Sequence, residues 1–164
     1  MDASIVGKFH FYDCAEVQVG TLETLAMNEF HAVRVQHCHL SYAFVFVDTT
    51  GWKFTFSGDC RPSEELIKVG QGSDLLIHEA TFEASMVEEA KQKKHCTITE
   101  AIDVGSKMKA SHVMLTHFSQ RYPKLPPLAQ TVAMAFDLLS CRPTDCAWLA
   151  SILPQIQQMV DDNN

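Results

Sequence analysis

The 164-residue sequence lacks any apolar run approaching the roughly 18–20 residues that a transmembrane helix requires, so no membrane span is expected. Residues 1–13 hold one lysine and no extended apolar core, which fits neither a secretory signal nor an Arg-rich transit segment. A basic surplus is missing too: 13 Lys and Arg stand against 20 Asp and Glu, a formal net charge of −7. Such a chain offers nucleic acid no broad basic face, so contact with it must be local or borrowed. Six cysteines, at positions 14, 38, 60, 96, 141 and 146, include no CxxC pair. That argues against a structural zinc held by four cysteines and for reduced, intracellular thiols. There is no internal repeat, low-complexity tract or domain-splitting linker. What remains, 46% hydrophobic and 20% charged residues, is the composition of one ordinary globular domain.

Local patterns supply the elements. Residues 31–37 (HAVRVQH) alternate apolar and polar side chains as a half-buried strand does. Residues 42–48 (YAFVFVD) and 52–57 (WKFTFS) are two more strands, and the short Thr49-Thr50-Gly51 turn between them predicts a hairpin. Ser63 is placed to cap a short helix through Val69 that Gly70 stops. Residues 74–77 (DLLI) are an apolar strand, and residues 83–93 an amphipathic helix with Met86, Val87 and Ala90 on one side. Thr97 and Glu100 have capping-box spacing for a helix running to about Lys109. Residues 111–116 (SHVMLT) read as a further strand, and residues 127–139 as a helix. The middle therefore reads β-β-β-α-β-α-α-β, an α/β (α+β layered) domain.

Reactive side chains gather where these strands end. His37 closes the first, Asp59 follows the third across one glycine, His78-Glu79 follows the fourth, and His117 the fifth. Sites in layered sheets assemble at strand ends and the loops beyond them. Any one of these residues alone is more often structural: a lone imidazole commonly bonds a nearby carbonyl, and Asp after Gly is a turn former. Taken together, imidazole and carboxylate without thiolate pairs suit catalytic zinc or manganese.

The succession His37-Cys38, Ser57-Gly58-Asp59-Cys60-Arg61-Pro62, His78-Glu79-Ala80-Thr81, His95-Cys96-Thr97 and His117-Phe118-Ser119-Gln120-Arg121-Tyr122 resembles the C-terminal half of tRNase Z. The likeness runs over residues 31–137, and HFSQRY and AMAFDLL are nearer the long eukaryotic form. That family removes the 3′ trailer from precursor tRNA and belongs to the metallo-β-lactamase superfamily, an αββα sandwich with a two-zinc site. The resemblance therefore implies the C-terminal half of such a sandwich, with residues 1–30 an N-terminal segment of unassigned origin and 141–164 a partly helical tail. It implies His37 as ligand of one zinc, His117 as ligand of the other, and Asp59 as the bridging carboxylate. His95 takes the place of the acid that protonates the leaving ribose oxygen, with Glu79 as its partner. Precursor tRNA is the implied substrate, and the nucleus or mitochondrion the implied location.

Departures from the pattern accompany it. Cys60 stands where the family usually has Thr, Cys96 where it has Ser, and Ser41-Tyr42-Ala43 follows His37-Cys38 in place of a small-aromatic-Gly pattern. No HxHxDH motif occurs anywhere, and His37-Cys38-His39 has no Asp-His after it. In the family that motif supplies most zinc ligands and the aspartate base. The chain alone is therefore expected to hold an incomplete ligand set, to bind zinc substoichiometrically and to be inactive. The missing N-terminal half of the same enzyme is its expected partner, with self-association into homodimers or aggregates when that half is absent. The alternative is a catalytically dead scaffold or partner-binding domain.

Cations near the site read two ways. Lys94 and Arg121 are candidate contacts for RNA phosphate, with Lys91, Lys93 and Lys124 close by; a solvated helix end that complements the helix dipole accounts for the lysines before His95 equally well. Phe44, Phe46, Phe54 and Phe56 alternate along the hairpin and belong to a sheet face rather than to base stacking.

Overall fold

The computed structural model describes residues 8–12, 27–119 and 131–135. Among these, one mixed sheet of seven strands runs in chain order, β1 (Lys8–Tyr12), β2 (Met27–Arg34), β3 (Tyr42–Asp48), β4 (Lys53–Phe56), β5 (Leu75–Glu79), β6 (His112–Thr116) and β7 (Val132–Met134). The β2–β3 and β3–β4 pairs are antiparallel, and β1–β2, β4–β5, β5–β6 and β6–β7 are parallel. Each parallel connection after β4 and before β6 carries helix: α1 (Glu64–Val69) joins β4 to β5, and α2 (Val87–Lys93) with α3 (Ile98–Met108) joins β5 to β6. The αβ layering and the β3–β4 hairpin are those the sequence predicts.

Local signals hold where they are chemical. Ser63 Oγ accepts from Leu66 N at 3.2 Å at the start of α1, and the Gly70 N–H closes its end on Leu66 O. Thr97 and Glu100 form the reciprocal capping box of α3. That helix lies close on β6: a Cβ at Gly105 would run into Val113.

The two sheet faces differ because side chains alternate along each strand. Val33, Ala43, Val45, Leu76, Val113 and Leu115 point to the helices and close a core with Leu66, Val104 and Met108. Fully buried Leu66, Leu76 and Leu115 each contribute about 2–5 kcal/mol against truncation to Ala. The opposite face carries Phe30, Phe44, Phe46 and Phe54, whose rings neighbour one another at 5.0–6.3 Å. Trp52 stacks on Phe54 at 6.1 Å, and these aromatics are half-buried. They are a sheet face, as expected from their alternation.

Four expectations are corrected. Residues 132–134 form β7 rather than helix, because parallel pairing with Val113, Met114 and Leu115 outweighs helical spacing. The strand expected at 31–37 spans Met27–Arg34, so His37 sits in the bend beyond it. His78 and Glu79 belong to β5 itself, where Leu115 and Thr116 of β6 pair with them. The helix expected from residue 83 begins at Val87. Strand β1 and the first residues of β2 lie before residue 31 and join the same sheet. Arg121 and the stretches 120–130 and 136–164 lie outside the described residues.

Candidate functional site

Parallel pairing brings the ends of β4, β5 and β6 to one edge of the sheet, where β2 also ends and β3 begins. The loops leaving that edge carry His37, Asp59 and His117, the connection between α2 and α3 brings in His95, and Glu79 ends β5. The structure thus brings together the five residues singled out for metal and catalytic roles.

Asp59 stands between two imidazoles, with Oδ2 3.8 Å from His37 Nε2 and Oδ1 3.4 Å from His117 Nδ1. Gly58 aims it there: its φ is +56°, and a Cβ would come 3.0 Å from Tyr42 O, so only glycine makes this turn without strain. His117 also sits at positive φ, +62°, a conformation uncommon for a side-chain-bearing residue. The Lys94 carbonyl accepts the Nδ1–H of His37 at 3.0 Å, which leaves Nε2 turned to Asp59. That carbonyl is presented by the left-handed cap of α2, and the Lys94 side chain itself is solvent-exposed. Lys91 pairs with Glu88 at 2.7 Å on the exposed helix surface, which favours the solvated-end reading for that lysine.

Glu79 is the organiser. Its carboxylate is 1% exposed and accepts from Cys60 N, Cys96 N, Thr81 N and Thr81 Oγ1 at 2.8–3.2 Å. It also accepts the Nδ1–H of His95 at 2.8 Å, fixing that ring with Nε2 directed away. A buried carboxylate requires this many donors to offset its lost hydration. Ser57 Oγ accepts from Glu79 N at 3.0 Å and donates to Gly58 O, linking the carboxylate's strand to the Asp59 turn. Thr81 Oγ1 lies 2.9 Å from His117 Nδ1 and 3.2 Å from His95 Nδ1. The ring centroids of His37 and His95 are 4.6 Å apart, and those of His95 and His117 5.3 Å.

Arg61 locks two of these loops. Its guanidinium pairs bidentately with Glu100 and donates to the His95 carbonyl. Burial pushes the Glu100 carboxyl up, but Arg61 and the Thr97 N–H outweigh it, and the net direction is down. The same pairing raises Arg61. Thr81 and Arg61 stood inside the quoted motifs, yet nothing in the sequence alone showed what they hold.

Directly beneath lie Cys60, His78 and Cys96, fully buried. The Cys60 thiol is drawn down to about 6, first by the Cys96 hydrogen bond, against burial, and then by His78. Cys96 is pushed up by that same bond and by burial. Burial opposes a charged His78, and Cys60 turns the net direction upward. Cys38 is instead tied into a turn by Ser41, with Cys38 N 3.1 Å from Ser41 Oγ.

Two donor triads are suited to a metal ion in the open site: His37, Asp59 and His95, and Glu79, His95 and His117, each with ligand atoms within 4.8 Å of one another. Nitrogen and carboxylate oxygen donors fit zinc. They fit it incompletely: His95 is common to both triads and already gives its Nδ1–H to Glu79, and without it each ion falls short of three protein ligands.

The family described as Beta-lactamase superfamily domain matches residues 8–118. Zinc phosphodiesterase ELAC protein 2 of Pan troglodytes is 39% identical over 142 residues, which is 84% of this chain and 17% of that protein. The mitochondrial tRNase Z TRZ3 of Arabidopsis thaliana is 37% identical over 155 residues, 86% of this chain and 17% of its own. Among solved structures, a long form RNase Z from yeast superposes with a TM-score of 0.71 at 38% identity, covering 84% of this chain and 20% of that one. The chain thus spans about one-sixth of the length of these curated relatives.

Proposed function

The chain belongs to the β-lactamase superfamily, and on that premise we propose that it forms the C-terminal half-site of a zinc-dependent endoribonuclease that removes the 3′ trailer from precursor tRNA. The observation that carries the proposal is Asp59 set between His37 and His117, with His95 anchored on buried Glu79 beside them. Two zincs would be held by His37 on one side and His117 on the other, with Asp59 between them, since a carboxylate offers two oxygens on one short side chain. Zinc bound there would supply an acidified water and positive charge opposite the scissile phosphate. His95, with Nδ1–H fixed on Glu79, presents Nε2 as the proton donor to the leaving 3′ oxygen. Lys94 and Arg121 are the proposed phosphate contacts.

The remaining ligands and the water-orienting aspartate are to come from an HxHxDH-bearing half. The aromatic face of Phe30, Phe44, Phe46 and Phe54 suits the packing of that half in a sandwich, or a second copy of this chain in its absence. The donor shortfall also favours one alternative, a domain of this fold that binds partners without cutting RNA. The two readings part on one experiment: the chain is joined to an HxHxDH-bearing half and offered precursor tRNA. Trailer release with about two zincs bound supports the nuclease, and a folded, zinc-loaded, inert protein supports the scaffold.

A further inference from the structure

Beneath the open site lies a second set of donors that phosphodiester hydrolysis does not use. Cys60, His78 and Cys96 show no solvent exposure. One sulfur from each cysteine and one ring nitrogen lie within 4.8 Å of each other. His78 Nδ1 donates to the Glu79 carbonyl at 2.7 Å, so the lone pair is on Nε2. That Nε2 is buried with no N–H or O–H donor in reach, and the group it faces is the Cys60 thiol, a weak partner. Leaving such a nitrogen dry and unfilled is costly. An imidazole that gives one N–H to a backbone carbonyl and keeps its other nitrogen free is oriented as metal-ligating histidines are.

We propose that Cys60, His78 and Cys96 form a structural site for a single thiophilic metal ion, zinc in the first instance. Bond lengths of about 2.3 Å to sulfur and 2.1 Å to nitrogen require donor separations of roughly 3.4–3.8 Å, so the cluster closes by about 1 Å at most. Binding releases two protons to solvent, one from Cys96 Sγ and one shared by Cys60 Sγ and His78 Nε2, and two thiolates with one divalent cation make a neutral unit suited to a buried position. Without the ion, the Cys96 thiol donates to the Cys60 carbonyl at 3.0 Å and Nε2 has only the Cys60 thiol before it. The two thiols are also the positions where this chain departs from the Thr and Ser of the pattern it resembles. Each ligand is the chain neighbour of an open-site residue: Asp59-Cys60, His78-Glu79 and His95-Cys96. An ion held below would therefore pin the backbone from which Asp59, Glu79 and His95 project.

Donor chemistry separates this ion from any in the open site, whose triads contain no sulfur. The test titrates the reduced, chelator-treated 164-residue chain with Cd2+ and follows thiolate-to-metal charge transfer. The proposal predicts saturation at one ion per chain, loss of the band in Cys60→Ser and in Cys96→Ser, and its retention in Cys38→Ser. X-ray absorption at the zinc edge of the wild-type chain loaded with one equivalent gives the same answer without any substitution, through two sulfur ligands on the metal. Absence of sulfur from that shell, or a charge-transfer band unchanged in both serine variants, would overturn the proposal. So would a Cys60–Cys96 disulfide found in the purified chain in place of a metal-binding pair.

Discussion

The open tier of the site and the closed tier beneath it are built from the same loops but held in opposite ways. Asp59 faces its imidazoles across 3.4 and 3.8 Å, longer than hydrogen bonds, and its side chain is 41% exposed. Glu79, one layer down, is saturated by five donors at 2.8–3.2 Å. Asp59 and its two imidazoles converge without bonding one another, so they are available to something else. The hydrogen bonds of Glu79 are committed within the protein and fix the loops. Rigid support under an open cluster is what positions a catalytic group well.

In the protein joined to its HxHxDH half, Asp59→Ala is expected to abolish both zinc retention and trailer cleavage, measured by metal analysis and a precursor tRNA assay, because the proposed site has this one carboxylate serving both ions. His95→Ala is expected to slow maximal cleavage by roughly 10²–10⁴-fold with zinc content intact. Equal loss of metal and rate would make His95 a ligand instead. Glu79→Gln strikes the closed tier: it turns an amide N–H toward backbone N–H donors and lowers unfolding free energy by about 1–3 kcal/mol in denaturant titration.

Smaller effects sharpen the same contrast. Glu100 has a depressed pKa in the folded chain, so its pairing with Arg61 stabilises fully above the ordinary carboxylate range and is lost as pH falls through and below it. The melting-temperature gap between wild type and Glu100→Gln should therefore be widest near neutrality and close as the solution is acidified. Lys94→Ala should alter stability by no more than about 0.5 kcal/mol, since His37 uses only the backbone carbonyl at that position.

The extent to which this was legible in the sequence follows the range of the forces involved. Capping at Ser63 and at Thr97–Glu100 is written in a few adjacent residues, and those helices appear where expected. The β3–β4 hairpin is likewise local. Strand β7 is not, since it depends on pairing with a strand some 20 residues earlier, and its own sequence favours helix. Of the converging residues, His37, Asp59, Glu79 and His117 were visible at strand ends, whereas His95, between α2 and α3, was marked only by the resemblance. The closed tier was hidden: Cys60, His78 and Cys96 are separated by 18 residues at each step; parallel β4–β5 pairing brings Cys60 to His78, and the α2–α3 connection, bridged at Thr97 to Phe82, adds Cys96.

The central claim is that this chain carries half of a shared catalytic site. Its most direct test is 3′ trailer cleavage of a precursor tRNA in zinc-containing buffer, by the chain alone and by the chain joined to an HxHxDH-bearing half. The account predicts no cleavage by the chain alone, cleavage by the joined protein, and its disappearance with Asp59→Ala. Trailer release by these 164 residues unaided would contradict it.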